Sequence, residues 1–156
     1  MRIAAQERAR GQADTMNPKV KEVLIGYFAA ALVMLGLDAI WLTLTADRLY
    51  RPLIGPIMLD GFRVAPAVAF YALYLCAIVI FAISPALAQR RWTMAMIYGA
   101  LFGFFSYGTY DLTNQATLKI WSTTITLADM AWGAFLTAAS ATAGYLAAFR
   151  WAKFKA

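Results

Sequence analysis

Four long apolar blocks, separated by short polar segments, dominate the chain. Each block holds about twenty residues or more, enough for a helix to cross the roughly 30 Å hydrocarbon core of a bilayer. A soluble fold does not need blocks of that length. The pattern therefore predicts an all-α, polytopic membrane protein, a four-transmembrane-helix bundle with spans at 22–45, 64–83, 92–112 and 125–149.

The polar ends of the chain set the predicted domain organisation. Residues 1–21 are predicted to form a cytoplasmic tail, 22–149 the four-helix transmembrane domain, and 150–156 a second cytoplasmic tail. The apolar run after the first tail is too long for a cleavable signal peptide. Met16 is a second candidate for the start, because the basic stretch MNPKVKEV leads directly into the first span.

The basic residues predict the orientation of the bundle. With both termini inside, ten bases lie on the inner face and four on the outer face. Cytoplasmic segments of membrane proteins carry an excess of lysine and arginine. The sequence therefore predicts a bacterial inner-membrane protein with both termini in the cytoplasm. The four outer bases are Arg48, Arg51, Arg63 and Lys119.

Composition excludes several kinds of chemistry. Charged residues make up 14% of the chain, against roughly a quarter in soluble domains. The absence of histidine removes the commonest metal ligand and the usual general base. No lysine lies within a predicted span, which argues against a Schiff-base cofactor, and Cys76 is the only cysteine. We therefore predict no metal and no cofactor. The net charge is +6, and the basic residues that produce it flank the spans. They therefore indicate anchoring in the membrane and not a nucleic-acid partner.

The connecting segments contain residues that break helices. Residues 46–63 are predicted to form an outer loop, with breaks at Pro52, Pro56 and Gly61. Its apolar middle, 53–59, is expected to lie at the membrane interface and to cap a site below it. Pro85 and the following bases predict a short inner turn after the second span.

Three carboxylates, Asp38, Asp111 and Asp129, lie within or at the ends of the predicted spans. Counted from the inner basic residues at about 1.5 Å per residue, they lie roughly 25, 30 and 31 Å from the cytoplasmic boundary of the membrane. An aspartate at the bilayer centre costs at least about 2.5–3.5 kcal/mol, so such a residue usually faces the bundle or water. We expect the three side chains to converge in the outer half of the bundle. The alternatives are local: a structural hydrogen bond for Asp38, an interfacial position for Asp111, and the helix dipole for Asp129.

Aromatic and amide side chains lie at the same depth as the carboxylates. Trp41 and Trp132 each follow an aspartate by three residues, which places each pair on one helix face. The arginines of the outer loop are available as counter-ions. Tryptophan and tyrosine also form interfacial belts without any site. The candidate ligand-binding residues are Asp38, Trp41, Tyr107, Asp111, Asn114, Asp129 and Trp132.

Small residues predict close helix contacts. Gly99 and Gly103 form a GxxxG motif in the third span, and the fourth span is rich in small residues from Gly133 to Gly144. Such residues let helix backbones approach closely. Packing within the bundle is favoured over a homodimer interface.

The motifs LDAIWL, YDLTNQATLK and DMAWG are similar to those of a family of small bacterial predicted inner-membrane proteins of unknown function. The resemblance covers about residues 20–150. It implies an inner-membrane location and a four-helix architecture. It brings no established activity, with a slight preference for a lipid-related role.

Three functions are consistent with these observations. The favoured one is a carrier or accessory subunit that binds a small polar or lipid ligand in a pocket in the outer half of the bundle. The second is a lipid-modifying membrane enzyme that uses an aspartate pair as acid and base. The third is a structural subunit of a membrane complex. The expected partners are membrane lipid and a small polar ligand, with a homodimer or a membrane-complex partner left open.

Overall fold

Helices account for almost all of residues 17–154, the part of the chain that a computed structural model describes. Residues 1–16 and 155–156 lie outside the described residues, so the candidate start at Met16 and most of the predicted amino-terminal tail do too. The helices are α1 Pro18–Thr45, α2 Arg51–Ile54, α3 Val64–Ile78, α4 Ser84–Gln89, α5 Trp92–Thr117 and α6 Thr123–Phe154.

Two π-helical turns join these helices into four long segments. The turn Ala46–Tyr50 connects α1 to α2, and the turn Val79–Ile83 connects α3 to α4. Each is followed two residues later by a proline, Pro52 or Pro85. Proline lacks an N–H and its ring crowds the carbonyl four residues earlier. The wider turn relieves this conflict, because its hydrogen bonds reach back five residues and not four.

The prolines therefore do not end the helices where the sequence predicts. The helical path from α1 continues through a 3-10 turn, Gly55–Ile57, so the predicted outer loop begins as helix. The second segment continues past Pro85 to Gln89. It ends at Arg90, which adopts the left-handed conformation at φ 52°. The predicted inner turn is thus limited to the two arginines at 90–91.

Helix α6 lies at the centre of the bundle, packed most closely against α5 and α1. A Cβ atom added at Gly103 of α5 would lie 2.0 Å from the carbonyl oxygen of Gly133 in α6. A Cβ atom added at Gly144 would lie 2.7 Å from the carbonyl oxygen of Gly26 in α1. The backbones meet at these points, so the small residues serve packing within the bundle, as the sequence predicts.

The outer surface of the bundle is apolar on all four segments. Leu32, Leu73, Phe105 and Leu127 are 77%, 72%, 63% and 66% exposed. An apolar surface of this extent is unusual for a soluble monomer and suits contact with lipid. Two helical stretches, Lys19–Ile57 and Val64–Gln89, are long and apolar enough by themselves to cross a membrane. The architecture confirms the predicted all-α four-helix bundle.

Candidate functional site

Asp38 of α1 links three segments of the bundle. Its side chain is only 7% exposed. One carboxylate oxygen accepts a hydrogen bond from the Tyr71 hydroxyl of α3. The other accepts from Trp132 Nε1 of α6 at 3.1 Å. Two donors from two neighbouring helices therefore satisfy a carboxylate that would otherwise be buried at a large cost.

Asp129 of α6 is held by the π turn that follows α1. It is 8% exposed, and its Oδ1 accepts a hydrogen bond from the Tyr50 hydroxyl. Tyr50 in turn accepts from Trp41 Nε1 at 2.9 Å. The second oxygen, Oδ2, accepts no hydrogen bond from residues 17–154 and is not sealed off by them. Asp129 thus keeps one acceptor available at the surface of a cavity.

The two tryptophans connect the two carboxylates. The rings of Trp41 and Trp132 stack, with centroids 4.5 Å apart and planes 9° from parallel. Trp132 donates to Asp38, and Trp41 donates to the tyrosine that holds Asp129. The stack therefore joins both carboxylate networks into one rigid group of side chains. Such aromatic pairs add about 0.5–1.5 kcal/mol beyond the burial of their surface.

A cavity of about 230 Å³ lies beside this group. It is walled mainly by aromatic and apolar side chains, with the two carboxylates among them. Ile54, the buried residue of α2, closes it on the loop side, whereas Leu53, Ile57 and Leu59 stay exposed. The expected cap of the site is therefore Tyr50 together with Ile54, and not the whole apolar stretch. The lining residues are Asp38, Trp41, Leu42, Tyr50, Ile54, Tyr107, Tyr110, Trp121, Ile125, Asp129 and Trp132.

A second cavity of about 310 Å³ adjoins the first. Tyr107, Tyr110 and Asp129 line both, so Asp129 stands at the junction. The remaining lining residues are Phe70, Tyr74 and Ser106, and the Tyr74 hydroxyl lies 2.9 Å from Thr137 Oγ1. Because this side chain hydroxyl is already bonded, the second cavity offers mainly aromatic surface.

Five of the seven candidate residues line the first cavity, and two do not. Asp38, Trp41, Tyr107, Asp129 and Trp132 meet there. The other two are Asp111 and Asn114, neither of which lines either cavity.

Asp111 differs from the other two carboxylates. It is fully buried on α5, and neither oxygen has a hydrogen-bond partner among residues 17–154. An unpartnered buried polar group costs about 1–3 kcal/mol, and more when it is charged. Asn114, one turn further along, is half-buried. Asp38 and Asp129 therefore line one cavity, whereas Asp111 lies close enough to Asp129 and Tyr50 to interact with them electrostatically but does not line it.

The outer-loop arginines do not neutralise the site. Arg51 pairs with Asp47 at 2.9 Å, and both side chains are exposed. Arg48 and Arg63 are exposed as well. Among residues 17–154, no lysine or arginine forms an ion pair with Asp38, Asp111 or Asp129. The cavity therefore borders two carboxylates without a basic side chain.

Four tyrosines of the site are absent from the sequence-based candidates: Tyr110, which lines both cavities, and three others that form hydrogen bonds through their hydroxyl groups. Tyr50, Tyr71 and Tyr74 supply hydroxyl groups from the π turn and from α3. A signal for the last two was present, because Tyr71 and Tyr74 are three residues apart within an apolar helix and so share a face. Tyr50 carried no such signal, since its position depends on the π turn.

A third cavity, of about 270 Å³, lies at the opposite end of the bundle. Glu22, Arg90 and Lys153 border it, together with Leu87, Phe149 and Ala152. The start of α1, the end of α4 and the end of α6 therefore meet at one end of the molecule, where basic residues gather.

Comparison with known proteins identifies the family. A family model described as "Predicted membrane protein (DUF2177)" matches residues 23–146, most of the chain. No curated protein and no solved structure gives a significant match. The match confirms the resemblance to a predicted membrane protein family of unknown function, and with the apolar helices it establishes the membrane assignment. The chain belongs to DUF2177, a family of predicted membrane proteins.

Proposed function

We propose that this membrane protein binds a small polar or lipid ligand in the cavity between Asp38 and Asp129, as a carrier or as an accessory subunit. The observation that carries the proposal is the free Oδ2 of Asp129 at the wall of a cavity lined by aromatic side chains. Ligand sites are typically apolar hollows with a few placed polar groups. This cavity has that character, and stacked tryptophans hold its polar groups in place.

The proposal includes the location of the site. We propose that the protein lies in a bacterial inner membrane with both termini in the cytoplasm, and that the cavity lies in the outer half of the bilayer. The excess of bases on one side supports this orientation. The bases at 90 and 153 gather at one end of the bundle, and Asp38 and Asp129 lie towards the other end.

A second candidate function is a lipid-modifying enzyme with Asp38 and Asp129 as its acid–base pair. The observation that favours it is the different surroundings of two carboxylates on one cavity. Both oxygens of Asp38 accept hydrogen bonds, whereas Asp129 has one occupied and one free oxygen. Pairs of carboxylates in different environments can divide acid and base roles.

The test compares Asp38→Asn and Asp129→Asn in the full chain, with Asp47→Asn as the matched exposed control. Membrane levels, lipids that copurify with the protein, and the lipid composition of the cells are measured together. Loss of a copurifying lipid at normal membrane levels supports the binding function. A changed lipid composition with the copurifying lipid retained supports the enzyme. Unchanged lipids, with loss of a partner protein, contradict both and support a structural subunit.

A further inference from the structure

The charge of the site restricts its ligand. Two carboxylates, each more than nine-tenths buried, border a cavity to which residues 17–154 contribute no lysine or arginine. Arg51 of the outer loop pairs with Asp47. Buried charges in proteins are normally paired. A ligand without a cationic group would leave these carboxylates without a counter-charge, whereas a ligand that carries such a group would supply one.

The free oxygen of Asp129 fixes where the cationic group binds. Tyr50 donates to Oδ1, so Oδ2 is left without a donor from residues 17–154, on a residue that lines the cavity. A carboxylate oxygen accepts hydrogen bonds and cannot donate when ionised. A positively charged N–H donor therefore complements both this acceptor and the missing counter-charge. An ammonium group has this chemistry, and hydrogen bonds between ionised partners are stronger than neutral ones.

The walls around Asp129 suit the same group. Tyr107 and Tyr110 line the cavity next to the carboxylate, and the Trp41–Trp132 stack forms another wall. Aromatic faces attract ammonium ions through the negative charge of the ring surface. The volume of about 230 Å³ is below the usual 300–1,000 Å³ of drug-sized sites. This cavity accommodates a head group and not a whole lipid.

The adjoining cavity accommodates an apolar portion. Phe70 and Tyr74 line it, and it meets the first cavity at Asp129. A ligand with its ammonium group at Asp129 would therefore extend apolar atoms along Phe70. The exposed surface of the bundle is apolar on all four segments, so an apolar chain that extends beyond this cavity has lipid-like surroundings.

We infer that the ligand is an amphipathic amine, with its ammonium group between Asp129 and the aromatic walls and its apolar part in the Phe70–Tyr74 cavity. The inference rests on the proposed binding function and specifies its substrate class. The shared chemistry has two sources, the head group of an aminophospholipid and a soluble alkylamine. Three probes separate them: dihexanoyl-phosphatidylethanolamine, dihexanoyl-phosphatidylglycerol and decylamine.

The full chain is placed in phosphatidylglycerol nanodiscs, which contain no amine, and binding of each probe is measured by microscale thermophoresis. We expect the ethanolamine lipid or decylamine to bind about tenfold more tightly than the glycerol lipid, the size of one charge-assisted contact. Asp129→Asn should abolish that ratio, and Asp47→Asn should preserve it. Tyr110→Leu should weaken amine binding about two- to fivefold, because it removes one aromatic wall. Tyr110 is an exposed side chain, so this variant provides the test if Asp129→Asn does not fold.

The outcomes separate the inference from the function on which it rests. Preference for the ethanolamine lipid alone supports a lipid head group, and equal preference for decylamine supports recognition of the amine and tail. Equal binding of the ethanolamine and glycerol lipids, weakened alike by Asp129→Asn, overturns the amine inference and leaves the binding function standing. If neither the unaltered protein nor any variant binds any of the three probes, both the amine inference and the binding function are overturned.

Discussion

Tyr71→Phe tests whether the contact between α1 and α3 at Asp38 stabilises the bundle. The change removes only the hydroxyl that donates to Asp38 and leaves the ring in place. Asp38 is 7% exposed, so the freed oxygen cannot be fully hydrated. The loss of a donor to a charged, buried acceptor costs about 1–3 kcal/mol. Measured hydrogen bonds between transmembrane helices average about 0.6 kcal/mol, with a maximum near 1.7. We therefore expect Tyr71→Phe to lower the free energy of unfolding by about 1–2 kcal/mol.

The assay is reversible unfolding by sodium dodecyl sulfate in mixed micelles, followed by helix content. A double-mutant cycle with Asp38→Asn isolates the contact. The effect of Tyr71→Phe should shrink by about 1 kcal/mol when residue 38 is already asparagine. Tyr98→Phe, on the exposed face of α5, is the matched control and should change the free energy by less than about 0.5 kcal/mol. Equal effects of Tyr71→Phe in both backgrounds would refute the reasoning.

Three further predictions concern packing, burial and topology. Gly103→Ala should lower the free energy of unfolding by about 2 kcal/mol or more in the same assay, because its Cβ meets the α6 backbone at 2.0 Å. Gly36→Ala, whose Cβ meets nothing within 4 Å, should leave it unchanged or raise it, and equal effects would contradict the packing argument. Asp111→Asn should leave the free energy unchanged or raise it, since it removes an unpartnered buried carboxylate, whereas a clear loss would reveal a partner. Reporter fusions after residues 88 and 156 should read cytoplasmic and one after 116 periplasmic, and any other pattern would contradict the orientation.

The sequence contains enough information to place the two carboxylates of the site at one level. A helix rises by a fixed amount per residue, so distance from the basic boundary gives depth. Asp38 and Asp129 line one cavity, as this reasoning expects. The spacing of aspartate and tryptophan also placed Trp41 and Trp132 on the right helix faces.

Rotation of the helices about their axes was not predictable in the same way. A soluble helix reveals its inner face by a polar outer face. The first helix of this bundle is apolar on most sides, since Leu32 and Phe28 are exposed while Met34 is buried. Depth groups Asp111 with the other carboxylates, and Asp111 does interact with Asp129, but it is buried without lining the cavity.

The predicted ends of the first two helical segments are wrong for a related reason. Pro52 and Pro85 are local signals that predict a break in the helix. A π turn before each proline keeps the helix continuous. Whether a chain breaks or widens there depends on how well the following residues pack, and Ile54 and Ala86 are both buried. That contribution comes from neighbouring segments and is not visible in the local sequence.

The π turn Ala46–Tyr50 makes the site sensitive to the length of the chain as well as to its composition. A π turn holds one residue more than the α turn it replaces, and one residue corresponds to about 100° of rotation. If residues 46–50 formed an ordinary α turn instead, the tyrosine would be rotated by about 100° and directed away from Asp129. Among relatives, a nine-residue spacing of these two aromatics therefore implies a π turn, and an eight-residue spacing implies an ordinary helix, for the tyrosine to reach the same carboxylate.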